Sequence, residues 1–248
     1  MSVGKLLRLQ YMGIEPCVLR SSIQPPAQVA SPTEDQAEVA VQAKPDIGQA
    51  TAPLPRPDDI PTISQWQSVE LEVINCKKCI LHQTRTQTVF GVGDKKAQWM
   101  FIGEAPGLDE DRKGEPFVGR AGQLLTKMLK AIGFERNEVY IANVIKCRPP
   151  DNRNPRLEEI VQCLSYLYRQ IQLVQPEIIV LLGGVAANTL LKEQTPVSRL
   201  RGQIHRIENT QAPVIVTYHP AYLLRSPKQK AAAWEDLQFA CKTIGRQL

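Results

Sequence analysis

Histidine is scarce in this 248-residue chain: His82, His205 and His219 are the whole supply. Only His219 has a setting suited to catalysis, and neither His82 nor His205 has a comparable one. Nucleotide-binding signatures are missing too. The glycine-rich stretch at 103–122 is followed by no Gly-Lys-Ser/Thr and contains no GxGxxG, which argues against a triphosphate or dinucleotide site. Residues 1–20 have basic side chains but no unbroken apolar core, no small-residue cleavage pattern and nothing near the length of a membrane span. We accordingly expect a cytoplasmic chain. No internal repeat is visible, and a net charge of +5 is too modest to define a partner.

What is present is more specific. Four of six cysteines form the pattern Cys76-x2-Cys79, a 67-residue gap, then Cys147-x15-Cys163. Thiolates are soft ligands that select zinc or iron–sulfur, and a CxxC pair lets two sulfurs from one turn reach one centre. The alternatives are small buried hydrophobes or a pair of disulfides. Clustered cysteines in a reducing compartment favour metal. Cys17 and Cys241 fall outside the pattern.

Composition divides the chain. Residues 21–60 are rich in Pro, Gln, Ala, Ser and Thr, and eight of the 19 prolines lie between Pro25 and Pro61. Such a segment buries too little apolar surface to offset chain entropy, so we expect a disordered linker. It separates a short apolar peptide, residues 1–20, from a folded domain at 61–248. Apolar runs at Gln98–Gly103, Val139–Ile145, Ile178–Gly183 and Pro213–Tyr218 read as buried strands. Helical stripes fall between them, with Leu124, Leu125, Met128, Leu129 and Ile132 on one face and Ile160, Leu164, Leu167 and Ile171 on another. A last helix is expected over about 229–246. This alternation predicts an α/β fold, a three-layer α/β/α domain with a mainly parallel four-stranded sheet, whose functional loops gather at the carboxyl ends of its strands.

Two loops are candidates on that basis. The first strand runs into Gly103-Glu104-Ala105-Pro106-Gly107, then Asp109-Glu110-Asp111, then 114–122. Its glycines permit close backbone approach, and Gly119 and Gly122 open a helix whose amide end can face an anion. Phe117 either fills core or stacks on a flat ligand. The last strand runs into His219-Pro-Ala-Tyr-Leu-Leu-Arg225, and a histidine at a strand's carboxyl end is suited to general acid or donor chemistry. Lys146, Arg148, Arg153 and Arg156 crowd around one cysteine, and Arg225, Lys228 and Lys230 follow the histidine. These cations read as phosphate contacts or as solvated surface.

The segments GEAPGLDEDRKGEPFVGRAGQLL, YIANVIKCRPPDNRNP and HPAYLLR, with the four cysteines in order, resemble the family 4 (iron–sulfur) uracil-DNA glycosylases over about residues 63–245. The resemblance implies the uracil-DNA glycosylase fold and a [4Fe–4S] cluster on Cys76, Cys79, Cys147 and Cys163. It also implies excision of uracil from single- or double-stranded DNA by a monomeric base-excision-repair enzyme. A base in a duplex must be turned out of the stack before it is attacked. Phe117 would then stack on uracil in a pocket that includes Ala105 and Gly107. The Asn143 amide would pair with O4 and N3–H, a pattern mismatched to cytosine, unless it merely bonds local backbone. His219 would donate to O2 as charge moves onto the base, and Glu104 would stabilise the sugar cation or orient water, with Asp109 and Glu110 as secondary candidates. Arg148, Arg153 and Arg225 would grip DNA, and Leu223 or Leu224 would fill the gap left by the flipped nucleotide.

Two departures from the best-known branch of these enzymes matter. Ala105 stands where that branch has aspartate, and Gly107 where it has a tyrosine that excludes thymine. The relatives that bond covalently to abasic DNA carry an Arg-rich insert with a histidine between the third and fourth cysteines. This chain has none, so turnover by water is expected. Residues 5–20 also faintly resemble the clamp-loader-binding peptide of the polymerase III psi subunit, which implies a replication-machinery partner, unless the segment docks on its own domain. Remaining alternatives are a non-catalytic DNA-binding protein with a zinc site, and a glycosylase for hypoxanthine or mismatched thymine.

Overall fold

A computed structural model describes residues 10–14 and 63–247. Cys17 and the whole Pro-rich stretch expected as a linker lie outside the described residues. Helix α1 (Ile63–Ile74) opens the domain and is followed by β1 (Val92–Gly93), β2 (Trp99–Gly103), α2 (Leu108–Lys113), α3 (Arg120–Ala131) and β3 (Tyr140–Asn143). The second half runs α4 (Leu157–Val174), β4 (Ile178–Leu182), α5 (Gly184–Leu191), α6 (Val197–Leu200), β5 (Val214–Thr217), α7 (Pro220–Arg225) and α8 (Lys230–Thr243).

The sheet has five strands in the order β1-β3-β2-β4-β5. The four expected strands pair in parallel, with Gly103 beside Asn143 and Leu182 beside Thr217 at their carboxyl ends. The expectation of four strands misses β1, an antiparallel edge of two residues paired to Ile141 and Tyr140. Two residues carry no periodicity, which is why the sequence does not reveal it.

Side chains alternate across each strand, and the two faces found different cores. Met100, Ile102, Tyr140 and Ala142 join α1, α4 and α5 in one cluster. Trp99, Phe101 and Ile141 join α3, α7 and α8 in the other. Cys76, Cys79, Cys147 and Cys163 pack with the first cluster, and Phe117 with the second. Met12 is fully buried in the second cluster, so residues 10–14 dock on the domain itself. Cys241 is buried in α8, on the opposite face from the four-cysteine group.

Local chemistry sets the ends of the functional helices. Asp109, Glu110 and Asp111 fill the first turn of α2 and Arg112 and Lys113 the last, matching the helix dipole, and Gly114 closes it with φ 78°. The segment after the last strand, expected as a loop, is helical. Pro220 occupies the first turn of α7, and His219 caps it by accepting the Ala221 N–H at 3.1 Å.

Candidate active site and cysteine centre

A cavity of about 500 Å³ opens at the carboxyl ends of the parallel strands, where ligands bind in open α/β sheets. Glu104, Ala105 and Gly107 line it from the loop after β2, Phe117 from the loop between α2 and α3, Asn143 from the end of β3, and His219 and Arg225 from β5–α7. The structure thus brings together residues up to 121 positions apart in the chain, counting from Glu104 to Arg225. Arg153 is also at its rim.

His219 and Phe117 face each other with ring centroids 5.5 Å apart and planes tilted by 32°. Because Nδ1 of His219 accepts from Ala221, the proton of the neutral ring belongs on Nε2. Burial, reinforced by the nearby positive charge of Arg225, holds the imidazole pKa down at about 4, so the ring is neutral at pH 7. The chemistry available is that of a preorganised neutral donor.

Asn143 is 2% exposed, and its Oδ1 has no hydrogen-bond partner. A buried, unpaired acceptor that lines a cavity is costly unless a ligand satisfies it. Gly103 makes room for it: an added Cβ there would fall 2.5 Å from both Asn143 Oδ1 and Phe117 Cζ. Glu104 is half-buried, and desolvation raises its carboxyl above the usual value of 4.5.

The acidic run has a structural task. The Glu110 carboxylate accepts from the backbone amides of Gly107 at 3.1 Å, Val118 at 2.9 Å and Gly119 at 3.0 Å, pinning both arms of the loop around Phe117. Phe117 itself has φ 55°, and Gly122 lies so close that a Cβ would come within 1.7 Å of the Phe117 carbonyl oxygen. Asp109 is exposed, at the solvent side of the same helix turn.

Several sequence expectations change in three dimensions. Leu223 is fully buried in the core beneath α7, so it is not available to enter DNA, whereas Leu224 is 37% exposed. Helical geometry turns adjacent leucines to different sides, and a loop reading could not separate them. Arg153 is held by Glu159 through two bonds of 2.9 and 2.6 Å, which also ties the 149–154 loop to α4. Lys146 is 1% exposed, which removes it from any phosphate-gripping surface. Arg148 spends its Nε on Asn152 Oδ1 at 2.8 Å. Asn152 and Asn154, to which the sequence reading assigned no role, line the cavity from that loop. Asp151 and Asn152 have φ of 55° and 53°, a conformation asparagine and aspartate tolerate better than most residues. The two Pro residues before them are the only local signal.

The four cysteines, read from their spacing as one metal site, lie around a common pocket. All four line one small pocket with Val73, Lys78, His82, Arg85, Lys146, Gln162 and Tyr166, and no carboxylate is among them. Arg85 Nη1 donates to Cys147 Sγ at 3.0 Å, and the Lys146 amide donates to Cys163 Sγ at 3.2 Å. None of the four is in a disulfide. Burial pushes the thiols of Cys79, Cys147 and Cys163 up, the last to about 12, so the bare thiols are neutral. A bound metal centre deprotonates its thiols outright, and the surrounding cations then match the resulting charge. Among the described residues no group of three or more His, Cys, Asp or Glu is arranged to hold a metal ion. Four sulfurs in one cation-lined pocket fit a soft, multi-iron centre. His82, which offered no setting of its own in the sequence, lines this pocket, its Nδ1 2.7 Å from the Cys79 carbonyl oxygen.

Among the described residues no helix is long and apolar enough to cross a membrane. Residues 90–238 match the family described as the uracil DNA glycosylase superfamily. The chain is 47% identical over 180 residues to a "Type-4 uracil-DNA glycosylase" of Archaeoglobus fulgidus, covering 70% of this chain and 88% of that protein. A protein of the same name from Sulfurisphaera tokodaii is 45% identical over 179 residues, 69% of this chain and 81% of that protein. One from Thermotoga maritima is 40% identical over 183 residues, 72% of this chain and 94% of that protein.

Proposed function

This chain belongs to the uracil DNA glycosylase superfamily, and from that premise we propose how its cavity performs the reaction. It is a DNA glycosylase that excises uracil from DNA, a step of base excision repair. The observation that carries the site reading is the pairing of an unpartnered Asn143 Oδ1 with a neutral His219 whose Nδ1 is already engaged.

In this reading uracil, turned out of the DNA, lies against Phe117 with its N3–H on Asn143 Oδ1 and its O4 on the amide nitrogen. Cytosine offers the opposite pattern at both atoms and leaves two buried polar groups unpaired. As the C1′–N1 bond breaks, its electron pair moves onto the base. His219 meets the growing charge at O2 through Nε2–H, a donor that needs no reorganisation. Water adds to C1′ of the sugar and gives up a proton, and uracil leaves protonated. Glu104 stabilises the sugar cation or orients that water, because Ala105 brings no carboxylate. Arg148, Arg153 and Arg225 act on the DNA backbone, Arg153 chiefly by fixing its loop, and Leu224 enters the stack.

A [4Fe–4S] cluster on Cys76, Cys79, Cys147 and Cys163 is part of this proposal. Bound there, it supplies a cross-link between two segments distant in sequence, and bond cleavage is left to the cavity residues. The catalytic unit is proposed to be residues 61–248, acting as a monomer. A replication-machinery partner for residues 1–20 remains a proposal that clamp-loader pull-down with and without those residues decides; Met12, buried in the domain, supports docking at home instead.

The test is incubation of the purified chain with single-uracil DNA followed by alkaline cleavage, with Asn143→Asp alongside. Strand scission at uracil by the wild type, and added scission at cytosine by the variant, are the expected results. No scission at uracil despite an intact iron–sulfur spectrum would reject the reading, and hypoxanthine would be the next substrate.

A further inference from the structure

Lys146 is the most deeply buried cation of the domain that is described, at 1% exposure, and its ammonium reaches no carboxylate. Its Nζ donates to the backbone carbonyl of Asn143 at 2.8 Å and to Gln170 Oε1 at 2.6 Å. Gln170, in α4, turns its amide to the Phe90 carbonyl at 3.0 Å and the Tyr140 hydroxyl at 3.1 Å. The same Lys146 lines the cysteine pocket, and its backbone amide donates to Cys163 Sγ. One residue therefore touches both centres of the molecule.

Burying an ammonium among neutral acceptors alone is expensive. With a metal centre bound, the charge that would offset it is on the sulfurs, since the pocket lining contains no acid. At the other end, β3 stops at Asn143, whose register partner is Gly103 at the end of β2. Lys146 folds back by three residues to satisfy the Asn143 carbonyl at that strand end. Without it the carbonyl would be buried and unpaired, and the strand end that aims the Asn143 side chain would lose its anchor.

We propose that Lys146 is a positioning residue that couples the four-cysteine centre to the base-reading Asn143. The proposal rests on the glycosylase reading above. It predicts a cation whose removal is felt in both places: uracil excision declines because Asn143 is less well aimed, and the iron centre loses a neighbouring positive charge.

The experiment is a double-mutant cycle on the full-length, iron-loaded chain, joining Lys146→Met with Asn143→Ala, together with the reduction potential of the centre. Lys146→Met should lower kcat/KM for uracil roughly tenfold in the wild-type background. In the Asn143→Ala background it should cost less than about twofold, because the residue it acts through is gone. The potential should move to more negative values, since loss of a nearby cation favours the more oxidised, less negative cluster. Equal losses in both backgrounds, or an unchanged potential, would overturn the proposal. If Lys146→Met does not fold, Lys146→Gln, which keeps a polar head for Gln170, should give the same non-additivity and the same direction of potential shift. An inactive wild type would reject the glycosylase reading instead, so the two failures are distinguishable.

Discussion

Gly183 lies directly against His219: a Cβ added to Gly183 would come within 2.8 Å of the His219 Cβ. Gly183 follows β4 and precedes α5 with φ 91°, a region that L side chains rarely adopt. Its amide donates to the Thr217 carbonyl at 2.9 Å, which sets the distance between the two strand ends. Gly183→Ala should displace the imidazole and lower kcat for uracil release by roughly ten- to hundredfold, with a smaller change in KM. Single-turnover excision measures it; an unaltered rate would show that the imidazole does not need this placement.

The depressed pKa of His219, about 4, predicts that kcat/KM has no inflection near the ordinary histidine value of 6.5. The sign for stability is also determined. Between pH 4 and 6.5 the unfolded chain binds a proton at His219 that the folded chain does not, so this contribution is present above 6.5 and is lost as pH falls toward 4. Urea unfolding of wild type and His219→Gln across that window should show a more positive dependence of stability on pH in the wild type, the difference between the two being the His219 contribution.

Glu104 titrates above its ordinary 4.5 because it is desolvated. If its anion assists the reaction, kcat/KM falls on the acid side with a midpoint above 4.5, and Glu104→Gln removes that limb while lowering the neutral plateau. A plateau equal to that of the wild type would remove Glu104 from the mechanism.

Leu223 and Leu224 should part company. Leu223→Ala leaves a hole in a fully buried site and should cost about 2–5 kcal/mol, seen as a lower Tm. Leu224→Ala should leave Tm nearly unchanged and reduce excision from duplex DNA more than from single strands, where no stack needs refilling. Equal losses on both substrates would contradict the wedge role.

Replacing any one of Cys76, Cys79, Cys147 and Cys163 by alanine should reduce bound iron per chain, measured by metal analysis and visible absorption. Cys241→Ala, on the other face of the sheet, should not. Iron retained in full by all four single variants would defeat the ligand assignment.

The four parallel strands and the stripes of α3 and α4 were legible in sequence because apolar periodicity is a local property, readable over a few residues. The four-cysteine pocket was legible because thiols at that spacing have few other uses. The family motifs carried Asn143, Phe117 and His219 to the same cavity wall. The two-residue edge β1 and the helix α7 were not legible, because each is too short to repeat a pattern.

The sequence by itself determined the layered fold, and its motifs named the side chains that the fold gathers in the cavity and the four cysteines that line one small pocket. Only the tertiary structure decided which leucine is core and which is exposed, that Lys146 serves the interior rather than phosphate, and that His219 is neutral. Those properties depend on burial and on partners far away in the chain. Desolvation and unsatisfied hydrogen bonds acquire their cost only once the chain has folded around them.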